Sequence, residues 1–235
     1  MPEHATLLQY VGAFSRLWAV LPRLAFLGVL LAISAALAAC GSEDESNSSS
    51  NETEQAFLQG MVPHHEAAIE MADVAAQSAE QPETRALAGE ITRNQRGEIE
   101  QMERIHKRLF DTEIVPDPAA HQQLGLSAKD AGMEHNDLSE LEDAKRVDRT
   151  FIDMMVPHHQ GAIRMARIAQ RDTKDAEIKR LAEEIIHMQA REITDMNKWR
   201  ERWYGSPSPA GGVPRETPSK PEGEGTVSGG DHDGH

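Results

Sequence analysis

One string, Met-Val-Pro-His-His, occurs twice in this chain, at 61–65 and again at 155–159. On a helix, adjacent side chains point about 100° apart, so His64 can lie centrally in a packed face while His65 flanks it. The same holds for His158 and His159. Met61 and Met155 each precede their histidine pair by three and four residues, which brings one thioether and two imidazoles over the same helical turn. Imidazole with thioether is a donor set that selects copper, Cu(I) above all, whereas imidazole alone serves zinc, nickel or Cu(II) equally. The candidate metal ligands are Met61, His64, His65, Met155, His158 and His159, with copper the first choice and zinc the second. A single inward histidine is more often a hydrogen-bonded core residue. Four of them, in two pairs with methionine at the same spacing, have no packing rationale, because each desolvated imidazole is costly unless something binds it.

Other groups carry weaker signals. Met71 and Met165 stand seven residues beyond the first histidine of each pair, about 10.5 Å along a helix, so they read as core or as a secondary metal site. Glu184-Ile185-Ile186-His187 matches the Glu-x-x-His element of di-iron bundles, but the corresponding residues of the first copy are Glu90 and Arg93. His187 is therefore only a secondary candidate. Glu98 and Glu192 can face inward or sit at an edge and pair with Arg96 or Arg191. Pro63 and Pro157 require either that a helix starts near them or that a helix is interrupted beside the histidines.

The elements that position these residues follow from a gapless repeat. Residues 57–110 align with 151–204 at an offset of about 94, with about 21 of 54 positions identical. Gln95, Glu98, Ile99 and Met102 recur as Gln189, Glu192, Ile193 and Met196. In the first copy Phe57, Met61, His64, Ala68, Met71 and Ala75 form a helical seam, and Phe151, Met155, His158, Ala162, Met165 and Ala169 form its counterpart. Breakers at Gln81-Pro82 and Asp172-Thr173 lead into second helices that present Leu87, Ile91, Met102 and Leu109, or Leu181, Ile185, Met196 and Trp203. The expected fold is all-α: a four-helix bundle of two duplicated αα-hairpins, joined by a long crossover over about 111–141 with a short helix near Ser139–Ala144.

The rest of the chain reads as export and tethering. A net charge of −15 on 235 residues argues against a nucleic-acid partner, and an aromatic content of 4% argues against a sheet protein. Arg16 and Arg23 precede an apolar run from Leu24 to Ala39, an export signal over residues 1–39. Leu37-Ala38-Ala39-Cys40 resembles the bacterial lipobox, which would make Cys40 the lipidated first residue of the mature protein. A plain spanning anchor is the alternative, although about 16 apolar residues fall short of the ~20 required. With one cysteine there is no intrachain disulfide. Residues 40–52 read as a disordered tether, 53–204 as the bundle and 205–235 as a disordered tail. Asp231-His232-Asp233-Gly234-His235 reads as part of that solvated tail.

The pattern Met61-x-x-His64-His65-x-x-Ala68-x-x-Met71-Ala72, with its copy Met155-x-x-His158-His159-x-x-Ala162-x-x-Met165-Ala166, resembles the domain of unknown function 305 family, as does Asp148-x-x-Phe151. The resemblance covers about Glu54 to Tyr204. It implies a ferritin-like four-helix bundle, commonly exported, with some members described as periplasmic copper-binding proteins. Glu54 stands where the motif's Asp is expected, and a Met- and His-rich linker found in some members is reduced to His121, Met133 and His135. The leading expectation is a non-enzymatic copper-binding lipoprotein on the outer face of the membrane. A metal-dependent redox enzyme and a metal-free envelope scaffold are the alternatives. Copper binding is expected to weaken between about pH 6.5 and 5, as free imidazole protonates.

Overall fold

A computed structural model of the chain describes residues 41–134 and 137–215. The compact unit that carries the packing and the site described below begins at Glu45, within the first helix. Among the described residues the helices are α1 (Gly41–Ser78), α2 (Pro82–Phe110), α3 (Leu138–Glu142), α4 (Val147–Asp172) and α5 (Ala176–Tyr204), with one 3-10 turn at Ala120–Gln122 and no strand. Every seam residue, from Phe57 to Ala75 and from Phe151 to Ala169, is buried.

Two apolar cores lie on either side of a polar middle. The first joins Phe57, Met61 and Val62 of α1, Met102 and Ile105 of α2, Ala162, Met165 and Ala169 of α4, and Ile178 to Ile185 of α5. The second joins Ala68, Met71 and Ala75 of α1, Leu87 and Ile91 of α2, Phe151 to Val156 of α4, and Ile193 and Met196 of α5. The early part of α1 thus shares a core with the late part of α4 and the reverse, so the two motif helices run antiparallel. Between the cores lie His64 and His65, Gln95 and Glu98, His158 and His159, and Gln189 and Glu192.

Each repeat caps the turn of the other. Asp148 at the start of α4 accepts the backbone N–H groups of Glu80 and Gln81 at 2.9 and 3.1 Å. Glu54, its repeat counterpart, accepts those of Lys174 and Asp175 at 3.1 and 3.3 Å, together with the Thr173 hydroxyl. These buried carboxylates satisfy helix-end donors that would otherwise be orphaned. The acidic residue that lies nine before each proline, Glu54 or Asp148, is thus a clamp between hairpins, and Glu in place of Asp still makes it.

The prolines fall well inside α1 and α4. Pro63 cannot donate to the carbonyl of Gln59, and the crossover fills the gap, since Asp117 donates its N–H to that oxygen at 2.9 Å. Near Pro157 the crossover approaches again. A Cβ on Gly132 (φ 70°) would sit 2.5 Å from the Pro157 carbonyl oxygen, and one on Gly161 would sit 2.0 Å from that of Ala131. Only glycine permits this contact of loop and helix backbones.

The structure departs from two expected boundaries. Residues 41–52, expected as a tether, are helical and belong to α1; the Ser50 hydroxyl donates to Glu54 and accepts the N–H of Lys174, which ties the turn at Ser50 to the α4–α5 connection. Residues 205–215, expected to open a disordered tail, fold back along α4 and α5. Arg200, buried and paired with Asp153 at 2.6 Å, donates to the carbonyls of Ser206 and Pro207. The Gln160 amide donates to those of Ala210 and Gly212, and Arg167 donates to that of Pro214. These anchors are polar side chains of the bundle gripping main-chain oxygens, so the segment's lack of apolar residues does not free it. Cys40, His135 and the Asp231–His235 stretch lie outside the described residues. No helix among the described residues is long and apolar enough to cross a membrane.

Candidate metal centre

The antiparallel crossing of α1 and α4 sets His64 against His158, with ring centroids 3.8 Å apart and planes inclined by 41°. His65 and His159 flank them, each 6.4 Å from its neighbour's ring. All four side chains are buried. The outer rings have matching partners: His65 Nε2 donates to Glu98 Oε2 and His159 Nε2 to Glu192 Oε2, each at 2.7 Å. His64 Nε2 donates to the carbonyl of Ala131 in the crossover at 2.9 Å. His158 has no protein partner at either nitrogen among the described residues.

Burial, the nearby His65 and more weakly His159 and His121 lower the His64 pKa to about 3, against the opposing bond to Ala131. His158 is also pushed well below the usual imidazole range, by burial first and then by His64, His159 and His65. Both central rings are therefore neutral at physiological pH, the form that binds metal. Within this layer five buried imidazole nitrogens have no hydrogen-bond partner among the described residues: Nδ1 of His64, His65, His158 and His159, and Nε2 of His158. An unsatisfied buried polar atom costs about 1–3 kcal/mol. Packing alone therefore does not account for the layer, and a metal ion fits its unused lone pairs.

Met61 and Met155 are fully buried one turn before the histidines, in the first and second core respectively. Met165 lies in the core of Met61, and Met71 in that of Met155, so each repeat's second methionine belongs beside the other repeat's first. His187 is elsewhere, on the exposed face of α5, 3.8 Å from Glu183. The structure does not bring it to the centre. His121 is buried in the 3-10 turn, where its Nδ1 donates to the Pro118 carbonyl at 2.9 Å. Among the described residues no three His, Cys, Asp or Glu side chains converge on one point. An ion at this layer would then combine imidazole with thioether, the softer donor set.

The sequence left Glu98 and Glu192 at an undecided edge, and Gln95 and Gln189 without a role. All four enter the polar layer. Gln95 Oε1 and both amide atoms of Gln189 are buried without a partner. The available signal was their recurrence at one spacing in both repeats, on the face that also carries Met102 and Met196.

Residues 54–200 match the family described as Domain of unknown function (DUF305), and residues 148–233 match it a second time. The chain belongs to this family. Solved structures similar to this family member include CopM in apo, Cu(I)-bound, Cu(II)-bound and Ag-bound forms. The Cu(I)-bound form is 36% identical, with 65% of this chain and 98% of that chain covered and a TM-score of 0.56. A DUF305 fragment from Deinococcus radiodurans is 29% identical, with 64% and 96% covered and a TM-score of 0.55. A 50-residue stretch is 44% identical to the uncharacterized protein L153 of Acanthamoeba polyphaga mimivirus, covering 21% of this family member but only 33% of that relative.

Proposed function

We propose that this chain is an extracytoplasmic, membrane-anchored protein that binds copper without catalysing a reaction, using Met61, His64, His65, Met155, His158 and His159. The carrying observation is the buried layer in which two histidine pairs meet with five unpartnered nitrogens between methionine-rich cores. Similarity to CopM, solved with Cu(I) and Cu(II), supports copper as the ion. Zinc is the runner-up, because imidazole alone would serve it. When bound, the ion supplies a soft Lewis-acid centre. The chain's part is to hold neutral imidazoles in place and to exclude water from them.

The methionines decide between the two metals. Met61→Leu with Met155→Leu nearly conserves volume and should cost under about 1.5 kcal/mol of stability at each site. In an anaerobic competition titration against a Cu(I) chelator, the double variant should lose about tenfold or more in Cu(I) affinity, about 1.4 kcal/mol. Its zinc affinity should hold. Unchanged Cu(I) affinity would assign both methionines to the core and leave copper no better supported than zinc.

Anchoring rests on the Leu-Ala-Ala-Cys sequence at Cys40. Cys40→Ser should release the protein from the membrane fraction. Retention through a high-salt wash would point instead to a spanning anchor.

A further inference from the structure

The hydrogen bonds around the histidine layer determine which nitrogen of each ring is open. A carbonyl oxygen can only accept, so the bond from His64 to Ala131 requires a proton on Nε2. Carboxylate oxygens at 2.7 Å from Nε2 impose the same on His65 and His159. Nδ1 of all three rings is buried with no partner among the described residues, so a second proton there would be stranded. Each ring is thus the Nε2–H tautomer with a bare lone pair on Nδ1. The arrangement at His65 and Glu98 recurs at His159 and Glu192 with the same atoms and the same distance, although the repeats share only about 21 of 54 residues.

We propose that Nδ1 is the metal-facing nitrogen of His64, His65 and His159, whichever of them share an ion with the neighbouring thioethers, and that Glu98, Glu192 and the Ala131 carbonyl are positioning groups that hold the proton on Nε2. This inference rests on the metal-binding reading above. A ligating imidazole is oriented, and made more basic, by the acceptor on its other nitrogen. His158 differs: among the described residues neither of its nitrogens has a partner, whereas Ala131 of the crossover accepts from His64. It is the one ring of the four free to present either nitrogen.

The test uses the full chain labelled with 15N at histidine. Long-range 1H–15N spectra of the metal-free protein should give His64, His65 and His159 protonated Nε2 and bare Nδ1 signals. Titration with Ag(I), a diamagnetic stand-in for Cu(I), should move the Nδ1 signals and leave the Nε2 protons in place. Loss of the Nε2 protons on binding, or a metal-free protein with protonated Nδ1, overturns the proposal. Ag(I) that moves no imidazole signal overturns the metal reading itself and this proposal with it. Glu98→Ala with Glu192→Ala should weaken Ag(I) binding about 10- to 100-fold. Glu98→Gln with Glu192→Gln should restore much of that loss, because the amide oxygen can still accept from Nε2. Wild-type affinity in the folded alanine variant would reduce both glutamates to structural partners.

Discussion

Replacing His64 and His158 together by alanine should lower Cu(I), Ag(I) and zinc affinity by about 100-fold or more, or about 2.7 kcal/mol. The two rings are in contact at the centre of the layer and carry three of its five unpartnered nitrogens, so their loss removes the part of the site shared by both repeats. Each outer ring would remain, tied to its own glutamate, with a single open nitrogen. The fold should tolerate the change better than an ordinary large-to-small substitution. Truncation in a core costs about 2–5 kcal/mol, but here it also removes buried polar atoms that each cost about 1–3 kcal/mol unpaired. Chelator competition reads the affinity, and a thermal melt of the metal-free protein reads the fold. Affinity within about threefold of wild type in a folded variant would remove the histidine layer as the binding site.

The parts of this protein legible in its sequence are those written in local spacing. The seam from Phe57 to Ala75 and its copy follow from helical period alone, and the second helix of each hairpin follows from Leu87, Ile91 and Met102 or their counterparts. The same spacing placed Met71 too far from His64 to share an ion on one helix. It could not show that Met71 enters a core beside Met155, because that depends on the antiparallel crossing of α1 and α4. The capping of one hairpin's turn by Glu54 or Asp148 of the other joins residues far apart in sequence, which no window of sequence contains. Glu98 and Glu192 were ambiguous for a related reason. A carboxylate at a helix edge becomes an imidazole's partner only once the facing helix is in place.

The pH response also turns on burial, and here the expectation drawn from free imidazole changes. Unfolded, His64 and His158 titrate near pH 6.5. Folded, His64 takes up a proton only near pH 3, and His158 is depressed as well. Below pH 6.5 the unfolded chain therefore binds more protons than the folded one, so stability falls with acidification across this window and is recovered as pH rises to neutrality. Each fully shifted histidine contributes at most about 1.4 kcal/mol per pH unit, and the pair about twice that. Asp175, whose carboxyl burial pushes up but the N–H of Ile178, Arg108 and the N–H of Glu177 together hold below the usual value, keeps its stabilising contribution above pH 3.8 and loses it only as pH falls further. Between pH 6.5 and 4.5 the linkage from His64 and His158 therefore acts while that from Asp175 does not. Denaturant midpoints of the metal-free protein should drop across it, and His64→Ala with His158→Ala should remove most of the slope. Copper affinity should change less between pH 6.5 and 5 than free imidazole would dictate, because protons do not compete for the two central rings while the bundle is folded. Equal midpoints at pH 6.5 and 4.5 would mean that these rings are not held neutral by burial, and the metal-ready state of the layer would lose its physical basis.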